Sequence, residues 1–250
     1  MASKPLIVAN WKMNPATFRE ARELFGAEKK IAESARGVSI VLAPPAIYLR
    51  ELSARYKGKR VSLCIQNAYF DGGGAHTGEI SFAQARDARA LFALIGHAER
   101  RALGESDDDV RKKVSAAVTR GMTAILCVGE IKRADGGEHF LYVREQIKRA
   151  LSEFPQAKLS RIVVAYEPVW TIGKDMAMST HDMREMSIFI RKCLFELFGA
   201  PGMNVRVLYG GSIDSTSAPQ MLQDGGVQGL LVGRASADAG KFGALISSLT

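Results

Sequence analysis

Thr123-Ala124-Ile125-Leu126-Cys127-Val128-Gly129-Glu130 is a nearly unbroken apolar run that ends in a glycine and a carboxylate. It does not alternate between apolar and polar positions, as a strand with one wet face would. A run that is apolar throughout suits a parallel strand covered on both faces. Runs of the same kind recur at 6–9, 38–42, 61–65, 91–95, 162–165, 205–209 and 229–232. Between them lie amphipathic stretches with helical spacing, at 17–30, 107–120, 139–154 and 182–198. Eight strand-and-helix units in 250 residues come to about 31 residues each, the size expected of a closed barrel. The reading is an α/β fold, a closed eight-stranded parallel (β/α)8 barrel, with 1–250 as one domain. A doubly wound open sheet is the alternative architecture.

Composition narrows the function classes. Hydrophobic residues make up 47% and charged residues 24%, too apolar for a disordered chain and ample for a core. No run approaches the roughly 20 apolar residues of a membrane helix. Leu6-Ile7-Val8-Ala9 is too short for a signal-peptide core, so the expectation is a cytoplasmic protein with no membrane partner. Cys64, Cys127 and Cys193 form no CxxC pair and leave an odd count, which argues against a disulfide framework. His76, His97, His139 and His181 match no zinc-site spacing, and no metal is expected. The net charge of +8 favours anionic partners. Basic groups such as Arg111-Lys112-Lys113 carry no interleaved aromatic residues. They read as solvated helix faces, and nucleic acid is not an expected partner.

In a parallel barrel, chemistry collects just past the C-terminal ends of the strands. Those positions hold Asn10, Lys12, Gln66, Asn67, His97, Glu130, Glu167, Ser212 and Gly233. A loop residue explains any one of them and explains the set poorly. Asn10 and Lys12, two apart on an extended segment, project to one side and suit an anionic substrate; an exposed lysine in a turn is the alternative. His97 precedes the helix formers Ala98-Glu99-Arg100-Arg101. The positive end of a helix dipole disfavours the imidazolium and leaves a neutral ring able to donate to a carbonyl oxygen. A histidine satisfied only by backbone groups competes with that reading. In Tyr166-Glu167-Pro168-Val169-Trp170 the proline interrupts strand pairing and leaves the carboxylate at the barrel mouth. Apolar cover there raises its basicity, as a general base requires; a solvated glutamate is the plain alternative. Tyr209-Gly210-Gly211-Ser212 and Val232-Gly233-Arg234-Ala235-Ser236 expose backbone N–H groups after the last two strands, where phosphate sites recur.

With these residues in order, the chain resembles the triosephosphate isomerase family over essentially its whole length. The matching stretches are Ala9-Asn10-Trp11-Lys12-Met13-Asn14, Gly78-Glu79, Ile95 to Arg101, Leu126 to Glu130, Ala165 to Trp170, Tyr209 to Ser212 and Leu231-Val232-Gly233. The resemblance implies a TIM barrel that interconverts dihydroxyacetone phosphate and glyceraldehyde 3-phosphate. It implies no cofactor, a homodimer, and a place in glycolysis and gluconeogenesis. By it Glu167 is the base, His97 the neutral electrophile, Lys12 the cation that balances substrate charge, and Asn10 the amide beside it. Glu99 is a supporting carboxylate, and Gly173, Ser212, Gly233 and the Arg234 backbone form the phosphate cradle. The glycine-rich segment Asp71-Gly72-Gly73-Gly74-Ala75-His76-Thr77-Gly78-Glu79 resembles the family's interdigitating loop, reaching towards a partner's Asn10–Lys12 region. The loop 168–178 is expected to close over substrate, with Trp170 and Ile172 as cover and Tyr209 holding the closed form.

Three departures accompany the resemblance. Ala98 replaces a serine whose hydroxyl contacts the catalytic glutamate, leaving the resting position of Glu167 open. Lys174-Asp175-Met176 alters the loop, and Arg234 replaces a glycine. Two other readings stay open: a tetrulose-phosphate isomerase with the same machinery, and a non-catalytic sugar-phosphate-binding barrel.

Overall fold

The computed structural model describes residues 4–133, 136–171 and 178–250. Eight strands alternate with helices: β1 (Leu6–Asn10), α1 (Phe18–Ser34), β2 (Ser39–Ala43), α2 (Ala46–Arg55), β3 (Val61–Ile65), α3 (Phe82–Asp87) and β4 (Ala90–Ile95). Then come α4 (Ala98–Ala102), α5 (Asp107–Thr119), β5 (Thr123–Val128), α6 (Glu138–Ala150), β6 (Ile162–Tyr166) and α7 (Thr180–Phe198). The chain ends with β7 (Arg206–Tyr209), α8 (Ser217–Asp224), β8 (Gly229–Val232) and α9 (Ala239–Ser247). Neighbouring strands are parallel throughout, and β1 pairs with both β2 and β8, which closes the barrel. The open-sheet alternative is thereby excluded.

Burial explains why the strands read as unbroken apolar runs. Alternate residues such as Val8, Val41, Cys64, Cys127 and Ala165 fill the barrel interior. Their neighbours Ile7, Ile40, Ile65, Leu126 and Val164 pack outwards against the helices. Both faces of each strand are dry over most of its length, and polar residues such as Ser39, Ser62 and Arg206 stand at partly exposed positions. Helix starts are fixed locally. Thr17, Ser81 and Ser106 each accept a hydrogen bond from the third helical N–H and form capping boxes on α1, α3 and α5, worth about 0.5–2 kcal/mol apiece. Asp107, Asp108 and Asp109 add favourable charge in the first turn of α5.

Several boundaries differ from those read in the sequence. β1 runs one residue further, so Asn10 is the last residue of the strand rather than the first of the loop. Helix α6 stops at Ala150 instead of 154, because Glu153 takes a positive φ of 61° and Pro155 follows. Helix α7 begins at Thr180, where the Ser179 hydroxyl caps the Asp182 N–H. None of the described helices is long and apolar enough to cross a membrane.

Candidate active site

The strands deliver their C-terminal residues to one cleft at the mouth of the barrel, lined by Asn10, Lys12, His97, Glu167, Ser212, Gly233 and Arg234. Each polar residue is set by its own local device. Gly96, at φ +72°, turns the chain out of β4 so that His97 becomes the N-cap of α4. The Glu99 backbone N–H then donates to His97 Nδ1 at 3.2 Å. With Nδ1 committed as acceptor, the neutral ring carries its proton on Nε2, which faces the cleft. Glu167 follows β6, and its N–H donates to the Val128 carbonyl at 2.7 Å. Gly210 across the mouth leaves it room: a Cβ there would lie 2.9 Å from Glu167 Cγ.

Glu167 and His97 meet directly. Oε1 of Glu167 lies 3.0 Å from His97 Nε2, with both side chains buried. Oε2 accepts the Ala98 backbone N–H at 3.1 Å. The resting position that Ala98 left open is thus held by a main-chain donor, which needs no serine hydroxyl. This pairing reverses two expectations. Burial raises the Glu167 carboxyl, but the His97 charge, its hydrogen bond, the Ala98 N–H and Cys127 together hold it below the usual carboxylate range. Burial lowers His97, but the Glu167 carboxylate and its hydrogen bond, with Glu99, outweigh that and raise it. The sequence reading of a raised glutamate and a disfavoured imidazolium takes each alone, whereas in the fold each is the other's partner.

Lys12 is also placed differently from the reading of an extended segment. Its φ is +54°, and its N–H donates to Asn10 Oδ1 at 3.0 Å. The two side chains still converge on the cleft. Asn10 Nδ2 lies 3.3 Å from His97 Nε2, and Lys12 Nζ donates to Glu99 Oε1 at 2.6 Å. At the other wall the Arg234 guanidinium donates from Nη2 to Ser212 Oγ at 2.9 Å, and Gly233 comes close to Lys12, since a Cβ there would sit 3.3 Å from Lys12 Cε. Gly173, with Lys174, Asp175 and Met176, lies outside the described residues.

Other residues from the strand-end set serve as framework. Gln66 Nε2 donates to the carbonyls of Lys12 at 2.8 Å and Ala43 at 2.7 Å, and Asn67 Oδ1 accepts from Lys113 Nζ at 2.8 Å. Buried Glu130 accepts from the Tyr166 hydroxyl at 2.8 Å and the Trp170 indole at 2.8 Å, fixing the segment after β6. The Tyr209 hydroxyl accepts the Met178 N–H at 3.0 Å. Ser236 was not singled out in the sequence, yet its buried hydroxyl donates to the Asn10 carbonyl at 2.8 Å. Its signal was present, a serine three residues past the strand-end Gly233, but only the barrel's closure makes it a neighbour of Asn10.

A buried carboxylate against an imidazole, with a cation at one end of the cleft, can move a proton at a carbon beside a carbonyl. Known proteins have the same fold. Residues 5–249 match the triosephosphate isomerase family. The triosephosphate isomerase of Pelobacter propionicus is 37% identical over 246 residues, covering 97% of this chain and 98% of that protein. That of Endomicrobium trichonymphae is 36% identical over 245 residues, covering 97% and 98%. The crystal structure of triosephosphate isomerase from Bartonella henselae superposes with a TM-score of 0.86 at 32% identity, covering 98% of this chain and 99% of that one. A likeness that runs the full length in sequence and in structure decides the matter: the chain belongs to the triosephosphate isomerase family.

Proposed function

We propose that Glu167, His97, Lys12 and Asn10 carry out this family's reaction, the interconversion of dihydroxyacetone phosphate and D-glyceraldehyde 3-phosphate in glycolysis and gluconeogenesis. The observation that carries the assignment is the 3.0 Å contact between Glu167 and His97 inside the cleft. Substrate entering between them separates the pair. Glu167 loses its counter-charge, and burial then raises its basicity. His97 loses the carboxylate that raised it, which favours the neutral ring with Nε2–H towards substrate. Both changes go the way the reaction needs.

Glu167 takes the proton from the carbon beside the carbonyl, and the electron pair moves onto the carbonyl oxygen to give an enediolate. His97 gives its Nε2 proton to that oxygen and takes one back from the hydroxyl on the neighbouring carbon, with Asn10 beside both oxygens. As Glu167 returns its proton to the carbon that carried the carbonyl, the new carbonyl forms at the other carbon. Lys12, Ser212, Gly233 and Arg234 hold the phosphate, with Glu99 tethering the Lys12 ammonium. Because Lys12 shares its charge with Glu99, the Arg234 guanidinium supplies a second cation to a dianion in addition to its backbone N–H. Proton transfer on a triose is favoured over the tetrulose and binding-only readings by the named relatives and by the base and electrophile standing together.

The test is the His97 titration followed by NMR. In Glu167→Gln the charge that raises His97 is gone, so its midpoint moves to lower pH than in wild type. A midpoint that stays or rises would remove the Glu167–His97 pair from the site.

We also infer one domain, since β1 and β8, from the two ends of the chain, are paired strands. The buried, unpaired cysteines suit a cytoplasmic setting. Dimerisation through residues 71–79 is supported by their exposure and by Met13, 94% exposed beside Lys12. Ile47 is 82% exposed, and its neighbour Tyr48 donates to the carbonyls of Pro15 and Ala16 at 3.2 and 2.9 Å. This places apolar surface near the cleft mouth. Thr77→Arg is expected to shift sedimentation equilibrium from dimer to monomer with loss of activity. A wild-type chain that is monomeric and fully active at micromolar concentration overturns the interface.

A further inference from the structure

Glu28 stands on the buried stripe of α1 that also carries Ala21, Phe25 and Ala32. Its Oε2 accepts the Trp11 indole Nε1–H at 2.9 Å, and the two residues are 0% and 1% exposed. Its other oxygen, Oε1, has no hydrogen-bond partner among the described residues. A carboxyl in that position costs stability compared with an apolar residue of the same size, so the packing of α1 does not account for it. Its partner does. Trp11 lies between Asn10 and Lys12, in the turn where Lys12 takes φ +54°, a conformation that residues with side chains rarely adopt.

The backbone of the turn is held by three further bonds. Trp11 N–H donates to the Ala43 carbonyl at 3.2 Å, Gln66 to the Lys12 carbonyl at 2.8 Å, and Ser236 to the Asn10 carbonyl at 2.8 Å. These fix where the backbone passes. The bond to Glu28 fixes how the indole is rolled in the layer between barrel and helix.

We propose that Glu28 is a positioning residue for Lys12: through the Trp11 indole it locks the left-handed turn that aims the ammonium at the phosphate end of the cleft. The proposal rests on the phosphate role given to Lys12 above. Burial pushes the Glu28 carboxyl well above its ordinary range, and glutamine, which keeps an oxygen acceptor in nearly the same volume, is its closest substitute.

Glu28→Leu keeps the volume and removes the acceptor, Trp11→Phe removes the donor, and Glu28→Gln keeps an acceptor for the indole. The probe is 2-phosphoglycolate, whose carboxylate carries an enediolate-like charge, with affinity measured by calorimetry in the full chain. Glu28→Leu and Trp11→Phe are expected to weaken binding about 10- to 100-fold, the scale of a roughly 1 Å misplacement. Glu28→Gln stays within about twofold of wild type, the scatter of independent sites. Repeated in a Lys12→Met background, Glu28→Leu and Trp11→Phe change binding by no more than about twofold, because no ammonium remains to aim. Equal losses in both backgrounds, or wild-type binding by Glu28→Leu, overturn the proposal. If Glu28→Leu does not fold, the contrast between Trp11→Phe and Glu28→Gln, with and without Lys12, decides. Failure of the wild-type chain itself to bind 2-phosphoglycolate would instead strike at the phosphate site.

Discussion

Glu167→Gln is expected to lower kcat by about 10²–10⁴-fold, the usual contribution of a positioned general base. An amide is nearly the same shape and cannot take a carbon-bound proton, so the change removes chemistry and leaves volume. The proposed phosphate ligands Lys12, Ser212, Gly233 and Arg234 follow other strands and line the same cleft. Affinity for a phosphate analogue therefore stays close to wild type while kcat collapses. Stopped assays in both reaction directions, with binding measured separately by calorimetry, give the two quantities. A variant within about threefold of wild type in kcat, roughly 0.7 kcal/mol of barrier, would mean that another group takes the proton.

Lys12→Met should be nearly as damaging and in a different way. The ammonium is half-buried and bonded to Glu99 at 2.6 Å. Removing it deletes a cation from the phosphate end and leaves an uncompensated carboxylate facing an incoming dianion. Losing a hydrogen bond from a charged group to the phosphate costs on the order of 1.5–3 kcal/mol, about 10- to 150-fold in kcat/KM. The diagnostic is the second change. Glu99→Gln in the Lys12→Met background should recover about two- to fivefold, since the Glu99 side chain is largely exposed and its repulsion is screened. In the presence of Lys12 the same change gives no gain. Identical behaviour of Glu99→Gln in the two backgrounds would dissociate Glu99 from the phosphate site.

The barrel was legible because the physics that makes it is repetitive. A strand covered on both faces is apolar at nearly every position, so 61–65, 123–128 and 229–232 are bounded in the sequence as the structure has them. Helix ends were less legible where they depend on one residue's backbone, as at Glu153. The site residues could be found because each follows an apolar run, and the cleft does bring Asn10, Lys12, His97, Glu167, Ser212, Gly233 and Arg234 together. What no local reading contains is the effect of one on another. Seventy residues separate His97 from Glu167, and their mutual titration exists only once β4 and β6 have been brought to the same mouth. The left-handed Lys12 and the buried Glu28 were missed for the same reason. Each looks ordinary in its own segment and acquires meaning from a residue on another layer of the fold.

The bond from Ser236 to the Asn10 carbonyl spans nearly the whole chain. It lies beside the seam where β1 meets β8, and the two walls of the phosphate end, Lys12 and Gly233, come from those same two strands. A growing chain therefore holds Lys12 long before Gly233 and has no counterpart for it until β8 leaves the ribosome. Until that moment the first strand also has an unpaired edge open to other chains. The proposed grip on a sugar phosphate thus arrives with β8, and a chain that stops before residue 229 is left with half of that proposed anion site.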